Sequence, residues 1–160
     1  MQSNNSYTPG VRLGIDFGQV RIGVARCDSG MILAMPVTTV LNNDDSVTQI
    51  LDLAEEVGSA IIYVGNPINL HGSETQSTVH AKQFARMLAI EIAQRQHEIQ
   101  VRLIDERLTT VSAAELLRES GKDARSSKHL IDQASAVQLL ELAMDVERKQ
   151  GTWAGTPVLP

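Results

Sequence analysis

Val11, Leu13, Ile15 and Phe17 are apolar at every second position, the period of a strand with one buried face. Gly18-Gln19-Val20 reads as a short turn, and residues 21–27 resume as a second strand, so the chain opens with a hairpin. A third strand is expected over 36–40. Val47, Ile50, Leu51 and Ala54 then recur at helical spacing over 44–57, closed by Gly58. The run 60–65, AIIYVG, has the continuous apolar character of a strand covered on both faces. The pattern predicts a long helix over 75–96, a strand over 100–105, and a short helix over 112–120 with Ser112 and Glu115 as a capping box. A last helix spans about 130–149. Hairpin strands followed by strand–helix alternation imply a mixed sheet with helices on its faces, an α/β fold.

Length changes this picture little: 160 residues make one domain, able to bury roughly two thirds of its unfolded surface. Residues 11–150 are expected to form it. Residues 1–10, polar with a Pro-Gly end, are expected as a disordered tail. Residues 151–160 are expected as a second flexible tail, with Trp153 covering apolar surface. Aromatic residues are only 3% of the chain, so the core must be aliphatic. The formal net charge of −5 argues against a protein gripping nucleic acid over its whole surface, but not against a local basic patch. A single cysteine, Cys27, forms no internal disulfide and reads as a small buried hydrophobe. Without a basic-then-apolar start or a run of roughly 20 apolar residues, the expectation is a cytoplasmic protein with no membrane partner.

Three places break the pattern with carboxylates. Asp16 lies on the strand face opposite Leu13, Ile15 and Phe17, beside Gly14 and Gly18, which would leave space for a ligand. A turn aspartate capping Gly18 is the plainer alternative. Asp105 and Glu106 follow VRLI at a strand's C-terminal end, where open α/β sheets place their sites. Alternation sends the pair to opposite faces, so only one can serve a shared site; a solvated edge or helix-cap signal is the alternative. Asp132 shares a helical stripe with Ala136, Leu139, Ala143 and Val146, although the helix dipole would also favour an acid there. Carboxylates converging from these positions would repel unless a divalent cation lay between them. All-oxygen donors favour Mg²⁺ or Mn²⁺, the ions of phosphodiester hydrolysis.

The blocks "GIDFGQVRIGVA", "VGNPINLHGSETQS", "DERLTTVSAAELL" and "IDQASAVQLLEL" resemble, in order, the signature blocks of the YqgF family, also called RuvX. The likeness covers residues 11 to about 145. It implies a ribonuclease H-like fold and a metal-dependent nuclease, with Asp16, Glu106 and Asp132 as the catalytic, metal-binding triad and Asp105 as the alternative to Glu106. Family members are described as nucleases maturing the 5′ end of pre-16S ribosomal RNA or as Holliday junction resolvases. The first activity fits the net negative charge better and would bring a ribosomal precursor particle as partner. The second would need a two-fold homodimer and a broad basic surface.

Supporting roles follow on the nucleic-acid side, whether structured RNA or branched DNA. The loop 65–74, with Asn66, can offer backbone N–H groups to a phosphate, or is an ordinary strand-to-helix loop. Arg21 and Arg107 flank the acids and would contact phosphates or form structural ion pairs. Arg118, Lys122, Arg125 and Lys128 make 118–129 a locally basic loop, the counter-charge a nucleic-acid backbone needs. Two other classes compete. Sugar-kinase and actin-type ATPases open with the same Gly-Ile-Asp-x-Gly hairpin, but they need two such domains. A non-catalytic nucleic-acid-binding module would be expected to have lost an acid.

Overall fold

A computed structural model describes residues 7–67, 71–106 and 124–160, with side chains from 130 onward in the last span. Six strands form one mixed sheet in the order β3-β2-β1-β4-β5-β6. The strands are β1 (Arg12–Phe17), β2 (Arg21–Cys27), β3 (Ala34–Leu41), β4 (Ile61–Asn66), β5 (Gln100–Asp105) and β6 (Thr156–Pro157). The hairpin β1–β2 and its neighbour β3 are antiparallel, whereas β1, β4 and β5 run parallel. The helices are α1 (Ser46–Val57), α2 (Gln76–Gln94) and α3 (Ala124–Gln150). None, among the described residues, is long and apolar enough to cross a membrane.

Alternation along the strands separates two cores. Leu13, Ile15, Ile22, Val24, Ile62 and Val64 face α1 and α2, packing on Ile50, Leu51, Phe84 and Leu88. Ala25, Cys27, Ile61, Tyr63 and Ile104 face α3, packing on Ala136, Leu139, Leu140 and Ala143. By the same period of two, Arg12, Gly14 and Asp16 belong to the α3 face. Expected and observed elements agree closely from β1 to β5. β3 starts two residues before the expected 36, because Pro36 sits on an edge strand beside a bulge at Val24/Ala25, where a missing N–H is tolerated. α3 starts at 124 rather than about 130. The helix expected over 112–120 lies outside the described residues.

The segment after α3 is docked, in contrast to the loose tail expected. Gly151 and Gly155, at φ +73° and +68°, let the chain turn back on the sheet. Arg102 then donates to the carbonyls of Ala154 (2.6 Å) and Gly155 (2.9 Å), and Val158 N–H donates to Val101 O. Trp153 and Ala154 are buried, and Tyr7 packs edge-on against Trp153 at 5.1 Å. Composition alone reads Gly, Thr and Pro as loop; the tertiary contacts override it.

Candidate active site

The site lies where the carboxyl ends of β1, β4 and β5 meet the N-terminal half of α3. What brings α3 so close is the glycines on its face of the sheet. A Cβ at Gly14 would stand 2.9 Å from both Ala136 O and Leu140 Cβ, and one at Gly23 would overlap the Asp132 carbonyl. Register pairs Gly23 with Asp16, so the helix backbone at Asp132 comes down beside that carboxylate. The space that the sequence assigns to a ligand beside Gly14 therefore holds α3 itself. At Gly18 a Cβ would meet the Arg21 carbonyl at 2.5 Å, a requirement of the tight β1–β2 connection.

Glu106 arrives by the same logic. It continues the alternation of Arg102 and Ile104, so it falls on the α3 face and Asp105 does not. A Cβ at Gly65, on neighbouring β4, would collide with the Glu106 carboxylate, which fills that space instead. Asp16 and Glu106 are thereby close enough to act on each other through charge and a side-chain hydrogen bond. Burial holds the Asp16 carboxyl well above the ordinary carboxylate range, helped by the charge and hydrogen bond of Glu106 and then by the charge of Asp132. Burial raises Glu106 as well, with Asp105 adding to the effect and the Asp16 hydrogen bond opposing it.

Asp132 is held differently. Arg21 Nε donates to its Oδ2 at 2.9 Å, and both side chains are partly exposed. The next residue, Gln133, donates from Nε2 to Thr39 Oγ1 at 3.1 Å and ties this turn of α3 to β3. Two acids are thus in contact and a third is near enough to act on Asp16, but paired with arginine. Among the described residues no three carboxylate, His or Cys side chains are drawn around one point as a ready metal cage.

Of the other expected residues, Asn66 ends β4 opposite Asp105, and its buried Oδ1 has no hydrogen-bond partner among the described residues. Arg107, Arg118 and Lys122 lie outside the described residues, as do the side chains of Arg125 and Lys128 on α3. Sequence reasoning misses a second buried charged group on the same face. Arg12 and Glu147 are fully buried, joined at 2.9 Å, and Tyr63 Oη donates to Glu147 at 2.7 Å. The available signal is that Arg12 shares its strand face with Asp16, while Glu147 follows Ala136, Leu140 and Ala143 on the packed side of α3.

Three comparisons place this architecture. A solved structure, "T. thermophilus RuvC in complex with Holliday junction substrate", superposes with a TM-score of 0.56 at 16% identity, covering 92% of this chain and 99% of that one. That likeness shows the fold, and with it the ribonuclease H-like architecture implied by the sequence. In sequence, a protein of Leifsonia xyli named "Putative pre-16S rRNA nuclease" is 44% identical over 153 residues, 94% of this chain and 96% of that protein. A Clavibacter michiganensis protein of the same name is 44% identical over 152 residues, 93% and 91% of the two chains. The family model RuvX, described as Holliday junction resolvase, matches residues 10–146, from the strand that carries Asp16 through the helix that carries Asp132. The chain belongs to the RuvX family of nucleases.

Proposed function

We propose that this chain hydrolyses phosphodiester bonds at the Asp16–Glu106–Asp132 site with Mg²⁺ or Mn²⁺, and that its substrate is the 5′-extended precursor of 16S ribosomal RNA. The observation that carries the reading is the closeness of the Asp16 and Glu106 carboxyls, with the Asp132 charge near enough to act on Asp16. Acids crowded together at a partly desolvated site repel, and a bound cation relieves that repulsion. The donors fit a hard divalent ion, being carboxylate oxygens only, and the missing Cβ at Gly65 is what lets Glu106 reach Asp16.

Asp16 and Glu106 would hold the ion together as carboxylates. Asp132 would complete the set by exchanging Arg21 for it. A divalent cation bound there supplies a water nucleophile at neutral pH and neutralises charge on the leaving oxygen. Arg21, once released, is a guanidinium at the mouth of the site, suited to a phosphate oxygen. Asn66 Oδ1 is a further acceptor near the end of β5 that lacks a donor among the described residues.

The name carried by the relatives supports RNA as substrate, as does the net charge of −5, which leaves little for a broad DNA-binding face. The family description supports a four-way DNA junction, which would require two copies about a two-fold axis. The test offers both substrates to the wild-type chain and to Asp16→Asn with Mg²⁺ or Mn²⁺. Wild type should cut the precursor RNA at its 5′ extension, and Asp16→Asn should lose at least about a hundredfold in rate. Cutting of the junction alone would replace the substrate, and cutting that survives in Asp16→Asn would refute the site.

A further inference from the structure

Beyond the β1–β2 turn, on the sheet face opposite Asp16, lies a groove of about 510 Å³. Phe17 and Phe84, their rings stacked at 4.8 Å, form its floor with Val47 and the exposed Met87. The chain has only two phenylalanines, and both are here; its two tyrosines and its tryptophan all lie in the core behind α3. The walls are amides and an imidazole: Gln19, Asn42, Asn43, His80 and Gln83. Asn42 donates to Gly18 O at 3.0 Å, and Gln19 Nε2 lies 2.7 Å from His80 Nδ1, so the turn is tied to both the β3–α1 connection and α2. Gln83 makes no hydrogen bond with a described residue.

The chemistry selects among ligands. Among the described residues that line the groove there is no Lys or Arg, and its one formal charge is the Asp44 carboxylate, which repels a phosphate. An aromatic floor with amide walls suits a flat heteroaromatic ring whose edge carries both donors and acceptors. The size falls within the range of small-molecule pockets. Position gives the second argument. Phe17 follows Asp16, so their Cα atoms are about 3.8 Å apart while their side chains leave opposite faces of β1. Gln19, in the β1–β2 turn that follows Asp16 and Phe17, lines the groove, so a strand whose phosphate sits at Asp16 would approach it around that turn.

We infer that this groove binds an unpaired nucleobase of the substrate strand, next to the phosphate held at the carboxylates. The inference rests on the nuclease reading for its substrate, and it makes that substrate single-stranded or unstacked at this nucleotide. Asp44 adds an acceptor that favours bases with an exocyclic amino group. Paired bases are excluded, since their edges are already engaged and their faces stacked.

The test uses the Asp16→Asn chain with Mg²⁺, so that the strand stays intact, and a short single-stranded RNA carrying one 2-aminopurine. Its fluorescence should change saturably on binding. Adding Gln83→Ala should weaken that response about tenfold, and Met87→Glu should abolish it; both side chains are exposed, so folding is preserved. The duplex of the same sequence should give no response. An equal response from the DNA strand, or one confined to RNA, supports the base site and says whether the ribose contributes. A response that survives both groove substitutions, or that the duplex reproduces, overturns it. Cleavage by the chain with Asp16 intact is scored separately: loss of the response in groove variants of a chain that cleaves nothing would uphold the groove and refute the nuclease.

Discussion

Two groups of charged side chains lie on the same face of the sheet, under the same helix, one fully buried and one half-buried, and they are built on opposite terms. At one end of the α3 packing, Arg12 and Glu147 neutralise each other. Glu147 also accepts from Tyr63, whose hydroxyl in turn accepts from the Ala154 N–H. Arg12 spends its remaining donors on the carbonyls of Thr8 and Gly10, and its guanidinium lies 4.9 Å from the Trp153 ring centre. Every charge there has a protein partner. At the other end, Asp16 lies against the Glu106 carboxyl, and Arg21 is engaged by Asp132. The first group is complete without a ligand. The second gathers like charges instead, and that contrast is what the site proposed above rests on.

The largest expected effect lies in the complete group. Glu147→Ala leaves Arg12 buried without a counter-charge and should cost about 3–5 kcal/mol in chemical denaturation. Replacing Arg12 and Glu147 together by apolar residues should cost much less than the sum of the single changes, because no charge is then stranded. Additive losses would show that packing, not pairing, holds that end of α3. Next comes the spacing that presents the second group. Gly23→Ala drives a methyl into the Asp132 carbonyl and should destabilise by about 1–3 kcal/mol while lowering nuclease activity, since α3 must lift at the residue the site needs.

A smaller effect distinguishes the two groups by pH. Asp16 and Glu106 both bind protons more tightly folded than unfolded. Without metal, stability should therefore rise as pH falls through their raised folded values towards the unfolded carboxylate value, the reverse of an ordinary paired acid. Asp16→Asn should flatten that rise, measured by urea denaturation across the acidic range. Smallest of all, Lys149→Ala removes only an exposed pairing with Asp145 on the last turns of α3 and should leave stability unchanged within error.

Most of the fold could be read from residue pattern because it depends on local periodicity: β1 to β5, α1 and α2 follow apolar spacing that a strand or helix imposes on its own. Asp16 and Asp132 stood out by local pattern, Asp16 as an acid among glycines on a strand and Asp132 as an acid on an apolar helical stripe. What was not legible depends on residues far apart in sequence. The glycines beside Asp16 resemble space left for a ligand, and only the position of α3 shows that Gly14 and Gly23 accommodate its backbone. Choosing Glu106 over Asp105 needed β4 as a neighbour, because Gly65 makes the room that Glu106 fills. Arg12, Tyr63 and Glu147 are separated by up to 135 residues, and no local rule links them. The C-terminal strand β6 has two residues and a composition typical of loops, so its order comes entirely from Arg102 and the β5 edge.

The central claim is that the carboxylates gathered around Asp16 serve to hold a cation. Thermal denaturation of wild type and Asp16→Asn, each in EDTA and in Mn²⁺, tests it most directly. Asp16→Asn should be the more stable chain in EDTA, while Mn²⁺ should raise the melting temperature of wild type only, by about 2.7 kcal/mol of stability at a hundred times the dissociation constant. A wild type that is more stable than Asp16→Asn in EDTA, with Mn²⁺ shifting both chains equally or neither, would contradict it.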